Sequence, residues 1–309
     1  MAIETPYGKP ALMSGMQSKT QRRSQEDAPA ARQWVFPPLQ DAPQSLHGQL
    51  MLNTGELQRG GWEIGWAQVV GKRHRLCEDS MGIAWSGASA GIAPHEPAVK
   101  ALKLILADGV GGGARGEVAS HALVQHCLGL PHPADGAIGP TRLLAGLCLA
   151  DAAVNKSLAT LTTMPGAATL AAAWLDGSGR GWISRVGDAR LSILRLGAGS
   201  WQPLMADQSY ANLGESPPLL EQLHAPARMV GAGLMGTPEL APFTLCAGEM
   251  LMLSSDGLHE WLGDSTGLLT QTTPATPTLG DLARRLALLA RENGSDDDIS
   301  VLLARKTPH

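Results

Sequence analysis

The chain has 309 residues, enough for one large domain or two small ones with a substantial core. Hydrophobic residues make up 44% and the formal net charge is −4, which argues against a general affinity for nucleic acid or an anionic membrane. Cys77, Cys127, Cys148 and Cys246 form no CxxC pair, so zinc spacing is absent and free thiols in a reducing cytoplasm are expected. The opening MAIETPYGKPALMSG lacks the charged-then-apolar pattern of a signal peptide, and the apolar run around Leu143 to Ala150 meets Asp151 too early for a membrane span. A cytoplasmic location is the expectation.

In residues 1–60, Lys19, Arg22 and Arg23 sit among Gln, Ser and Glu, followed by Pro37, Pro38 and Pro43. No sustained period appears. A variable, disordered or loosely attached extension is expected, or else a segment that packs through Trp34, Val35 and Phe36. From Gly61 the texture becomes regular, so residues 61–309 are read as the main domain. Strands are expected at Trp62 to Val70, Ser80 to Trp85 and Ala101 to Ala107, the last ending abruptly at Asp108-Gly109. Gly116 to Leu128 reads as a helix. Arg142 to Leu161 reads as a longer one, with Leu143, Leu147, Val154, Leu158 and Leu161 on one face.

Thr169 to Leu175 and Gly181 to Val186 read as a hairpin turned at Asp176-Gly177. Leu191 to Leu196 and Met250 to Ser254 add strands. Leu279 to Asn293 reads as a helix stopped at Gly294, and Ile299 to Ala304 as a final strand. Strands come in hairpin-like groups with helices between the groups, which favours an α+β layered sandwich over an alternating parallel sheet.

Four aspartates share one context. Asp79 precedes a strand, Asp108 and Asp256 each end an apolar strand and are followed by glycine, and Asp297 lies just before the last strand. A single Asp-Gly is most simply a turn. The set is different, because strand ends in a sandwich can converge on one cleft. Converging carboxylates repel and raise one another's pKa unless divalent cations sit between them, and all-oxygen ligation suits Mg²⁺ or Mn²⁺. Gly109 and Gly257 let the backbone turn tightly, so a carbonyl can join the ligands. Gly111, Gly112 and Gly113 lack the spacing of a phosphate-cradling loop.

The order of the motifs resembles the metal-dependent protein phosphatase 2C family. Arg73-His74-Arg75-Leu76-Cys77-Glu78-Asp79 looks like its first motif, and Ala107-Asp108-Gly109-Val110-Gly111-Gly112 with Gly116-Glu117-Val118-Ala119-Ser120 like its second. Ala168-Thr169-Leu170, Val186-Gly187-Asp188-Ala189-Arg190, Ala206-Asp207-Gln208-Ser209, Leu253-Ser254-Ser255-Asp256-Gly257-Leu258 and Asp297-Asp298-Ile299-Ser300-Val301 follow in order. The likeness covers roughly Gly61 to Arg305.

The resemblance implies a four-layer αββα sandwich of two antiparallel sheets flanked by helices. It implies hydrolysis of phosphoserine and phosphothreonine in proteins by a water bridging two Mn²⁺ or Mg²⁺ ions. Asp79, Asp108, Asp256, Asp297 and the Gly109 carbonyl would hold the ions, and Glu78 would orient the water. Asp188 would help Asp256 with a third ion, or would bond backbone amides or pair with Arg190. The expected partners are a phosphorylated protein and a cognate Ser/Thr kinase. Cys77 reads as a packed thiol.

Four positions depart from the family pattern. His74 stands where many members have a phosphate-binding Arg. On a strand it would face opposite to Arg73 and Arg75, so His74 or one of these arginines is the candidate phosphate grip. Val110 and Gly113 occupy the places of a leaving-group His, which leaves His74 or a metal-bound water as the candidate acid. Asp298 replaces the usual Asn. Residues Tyr210 to Leu240 correspond to the family's flap and are rich in Gly, Pro and Ala. The rival reading is a phosphatase-like regulatory or binding module without turnover.

Overall fold

The computed structural model describes residues 32–36, 52–72, 74, 76–87, 99–110, 115–131, 140–159, 166–231, 233–262 and 278–307. In chain order the strands are β1 (Arg32–Phe36), β2 (Leu52–Arg59), β3 (Trp62–Val69), β4 (Ser80–Gly87), β5 (Val99–Ala107), β6 (Gly109–Val110), β7 (Ala167–Ala168), β8 (Leu170–Asp176), β9 (Arg180–Val186), β10 (Arg190–Leu194), β11 (Gln202–Pro203), β12 (Glu239–Thr244), β13 (Met250–Ser254) and β14 (Ile299–Lys306). The helices are α1 (Gly116–Gly129), α2 (Pro140–Cys148), α3 (Ala150–Leu158), α4 (Tyr210–Leu213), α5 (Asp256–Leu262) and α6 (Leu279–Glu292).

Among the described residues, twelve strands form two six-stranded sheets, β1-β4-β5-β8-β9-β12 and β11-β10-β13-β14-β3-β2, and β6 pairs with β7 alone, with every pairing antiparallel. Alternation along the strands sorts the core into three slabs. Leu104 and Leu106 of β5 meet Trp62, Ile64, Leu253 and Leu302 between the sheets. Ile105 faces the other way and packs with Leu123 and Val124 of α1, Leu143 and Leu147 of α2 and Val154 of α3. On the far side, Val69, Met252 and Val301 pack against Leu258 of α5 and Leu282 and Leu286 of α6. These slabs build the expected four-layer αββα sandwich.

The expected long helix is two. Leu149 (φ −87°, ψ −7°) separates α2 from α3, but Leu143, Leu147, Ala150, Val154 and Leu158 stay buried across the break. The periodicity therefore carried the packing face without revealing the interruption; Leu161 lies outside the described residues. In the hairpin between β8 and β9, Asp176 Oδ1 accepts from the amides of Ser178 and Arg180 and from the Ser178 hydroxyl. Helix α6 starts at Thr278, whose hydroxyl accepts from the Asp281 amide at 3.1 Å, and stops at Gly294 (φ 109°).

Two described strands lie before Gly61. The backbone of β1 pairs with β4, and β2 forms the outer edge of the second sheet. A further unexpected strand, β12, closes the edge of the first sheet at the end of the flap segment. Among the described residues no helix is long and apolar enough to cross a membrane. Cys77 and Cys127 are buried free thiols, and Cys148 and Cys246 are exposed free thiols.

Candidate metal centre

The strand registers put five aspartates at one end of the sandwich. Ser80 at the start of β4 pairs with Ala107 at the end of β5, so Asp79 and Asp108 are neighbours there. Leu170 pairs with Val186, bringing the β9–β10 turn and Asp188 to the same end. In the other sheet Arg190 pairs with Ser254, Ser254 with Val301, and Ile299 with Val69. Asp256 and Asp297 therefore face the first group across the sheet gap. Antiparallel pairing gathers the aspartates within each sheet, and the face-to-face packing of the two sheets brings the groups together.

The electrostatics of the cluster are those of crowded acids. Neither carboxylate oxygen of the fully buried Asp79 finds a hydrogen-bond partner. Burial pushes its pKa well up, and the charges of Asp298, Asp256 and Asp297 add to the shift. Asp108 is raised well above the carboxylate range by burial and by Asp79, Asp256, Asp188 and Asp297. Burial and Asp256 push Asp188 up to about 8. Burial, Asp297 and Glu260 push Asp256 up to about 6. Glu78 is raised by burial, and its Oε2 is buried without a partner. Divalent cations among these oxygens would remove the repulsion and partner the orphaned atoms, so the donor set fits an all-oxygen cation centre.

The two Asp-Gly glycines are required by crowding rather than by a left-handed turn, since neither has a positive φ. A Cβ on Gly109 would lie 2.5 Å from the carbonyl oxygens of Glu78 and Gly116. A Cβ on Gly257 would collide with the Asp298 carbonyl. The first glycine seats the β5–α1 connection against the loop that carries Glu78. The second seats α5 against the start of β14.

Asp298 is buried and saturated. Its Oδ1 accepts from the Gly71 amide at 2.5 Å. Its Oδ2 accepts from the Glu78 amide at 2.7 Å and bonds His74 Nδ1 at 2.9 Å. Nearby, Lys72 donates its amide to the Asp296 carbonyl at 2.8 Å, and Arg291 Nη2 donates to the carbonyls of Val70 and Asp297 at 2.8 and 2.9 Å. These bonds staple the first motif to the last. Burial alone would lower the His74 pKa, but the hydrogen bond and charge of Asp298, with Glu78 and Asp297, outweigh it and raise it. His74, Glu260, Trp261, Asp296 and Asp297 line a cleft of about 250 Å³. Ligand atoms of His74, Asp297 and Asp298 lie within 4.8 Å of one another.

Arg73, Arg75 and residues 111–113 lie outside the described residues. Arg190 does not pair with Asp188. Its Nε donates to Asp207 Oδ1 at 3.2 Å and its Nη2 to Asp207 Oδ2. Asp207 also pairs with the buried Arg185 at 3.5 Å, and Arg185 reaches Glu239 at 2.6 Å. Cys77 is fully buried, and burial together with the Asp79 charge pushes its thiol well up, as befits a packed group. Glu260 was missed in the sequence. It acts electrostatically on both Asp256 and Asp188. The signal was present: Glu260 follows Asp256 by four residues, which on α5 puts the two on one face.

Fold and site together are similar to those of metal-dependent serine/threonine phosphatases. No family model matches the chain. The Mycobacterium tuberculosis serine/threonine protein phosphatase PstP is 31% identical over 212 residues, covering 65% of this chain and 40% of that protein. The chain thus matches about two fifths of the length of this curated relative. The crystal structure of M. tuberculosis PstP/Ppp superimposes with a TM-score of 0.62 at 25% identity, covering 80% of this chain and 99% of that one. The catalytic domain of PstP in complex with two manganese ions gives 0.58 at 24% identity, covering 84% and 100%. A serine/threonine phosphatase of S. agalactiae gives 0.58 at 22%, covering 82% and 99%. At these lower identities the likeness speaks for the fold.

Proposed function

We propose that the protein is a metal-dependent serine/threonine phosphatase acting on phosphorylated proteins. One observation carries this reading: Asp79, Asp108, Asp188, Asp256 and Asp297 meet at one end of the sandwich, and neither oxygen of the buried Asp79 carboxylate accepts a hydrogen bond of normal geometry. The PstP catalytic domain binds two manganese ions, and the oxygen-only donors here suit Mn²⁺ or Mg²⁺. Asp79, Asp108, Asp256, Asp297 and the Gly109 carbonyl are the proposed ligands of two ions, with Asp188 and Asp256 suited to a third. Such ions would supply Lewis acidity, lowering the pKa of water and offsetting negative charge on the phosphoryl group.

The chain's own groups would do the rest. Glu78, with Oε2 unpaired beside the centre, is placed to orient the attacking water. His74 lines the cleft and is the proposed phosphate grip and candidate acid. Arg73 and Arg75 stay in the proposal as alternative phosphate ligands. A cognate Ser/Thr kinase, a cytoplasmic location and a catalytic domain over residues 61–309 with residues 1–60 as its extension complete the reading. The test is hydrolysis of an aryl phosphate by the purified protein. Turnover should require Mn²⁺ or Mg²⁺ and vanish in Asp256→Asn, whereas full turnover in chelator overturns the proposal.

A further inference from the structure

The proposed phosphate grip is bonded to Asp298, the acid that stands where the family pattern has Asn. Asp298 is 3% exposed, yet it is not a vacant acid like Asp79. Three donors converge on it: the Gly71 amide on Oδ1, and the Glu78 amide and the His74 ring on Oδ2. The two amides fix the carboxylate plane, because they come from both ends of the first-motif loop. The plane then fixes the ring. An imidazole that donates from Nδ1 to a carboxylate keeps Nε2 as the nitrogen available to a ligand. An asparagine could not serve all three donors. Its single carbonyl oxygen would satisfy one side, and its NH₂ would confront an amide N–H on the other.

We infer that Asp298 is a positioning residue for substrate phosphate: by accepting from His74 Nδ1 while clamped by the Gly71 and Glu78 amides, it holds the imidazole with Nε2 for a phosphoryl oxygen in the cleft. This rests on the phosphatase reading above. The oriented ring adds binding without adding a ligand to the metal cluster. The carboxylate itself touches neither substrate nor reacting atoms, so its effect must pass through His74.

A double-mutant cycle and a spectroscopic arm test it. At saturating Mn²⁺, Asp298→Asn should raise KM for an aryl phosphate on the order of ten-fold, with a smaller change in kcat. Asp298→Ser, which removes the carboxylate without adding an NH₂, should do the same and serves if the Asn variant does not fold. In a His74→Ala background either change should move KM by less than about two-fold. Equal losses in both backgrounds, whether or not Mn²⁺ affinity falls with them, overturn the inference. In the metal-free wild type, nitrogen NMR spectra of the His74 ring should show the Nδ1–H pattern, and Asp298→Asn should abolish it. Identical ring spectra in the two proteins also overturn it. A wild-type protein with no metal-dependent turnover defeats the phosphatase reading, while the ring spectra still decide whether Asp298 orients His74.

Discussion

Two polar clusters sit near the same end of the sandwich, and they solve burial in opposite ways. Beneath the flap, Asp207 is flanked by Arg190 and Arg185, and Arg185 reaches Glu239. This cluster brings its own cations. At the strand ends, Asp79, Asp108, Asp188 and Asp256 face one another, and burial and mutual repulsion raise all four pKa values. Folding does not neutralise this second cluster. A buried charge is tolerated when paired and is costly when not, so the protein side of the second cluster is unfinished without added charge.

The largest expected contrast comes from removing one acid. Asp256→Asn should lower Mn²⁺-dependent hydrolysis by on the order of 10³-fold or more, yet raise the melting temperature of the metal-free protein, because one repelling charge is gone. A lower melting temperature would break the comparison. The self-neutralised cluster should behave in reverse. Arg185→Met should cost on the order of 1 kcal/mol of stability in urea melts, with or without Mn²⁺, because Asp207 keeps Arg190 and Glu239 is half exposed.

The third contrast is in pH. A carboxylate whose folded pKa is raised gives stability that is full below its unfolded value and lost as pH rises through the folded value. For Asp256 and Asp188 the loss starts above about pH 4, the ordinary Asp value, and ends near 6 and 8. Metal-free melting temperatures should therefore carry a falling contribution from pH 4 to 8. Saturating Mn²⁺ should restore on the order of 3 kcal/mol, visible as a calorimetric shift larger at pH 8 than at pH 5. A metal effect equal at both pH values would separate binding from these acids. The smallest effect is expected at Glu260, exposed at the rim. Glu260→Gln should weaken Mn²⁺ binding about ten-fold by isothermal calorimetry, and an unchanged affinity would remove Glu260 from the centre.

Much of this was legible in the chain. The apolar runs ending at Asp108 and Asp256, and the strand beginning after Asp297, appear where their hydrophobic patterns placed them. What was illegible has physical reasons. Strand β12 contains Pro242, which argues against a strand, and it is tolerated because β12 is an edge. Strand β2 is partly exposed at the opposite sheet's edge, so no clean alternation marked it. Helix α5 is seven residues long, too short for a periodic signal, and so Glu260 went unseen.

By itself the sequence determined the layer pattern, the order of the acidic motifs and the chemistry that oxygen-only donors suit, because side-chain period and residue type are local properties. Only the tertiary structure decided which charges are neutralised. Arg190 stands two residues from Asp188 but serves Asp207, and Asp298 stands beside Asp297 but serves His74, Gly71 and Glu78. Asp188, Asp297 and Asp298 lie in the turns just before β10 and β14, where no side-chain period sets direction, and partners across the sandwich are chosen by register, which no local pattern encodes.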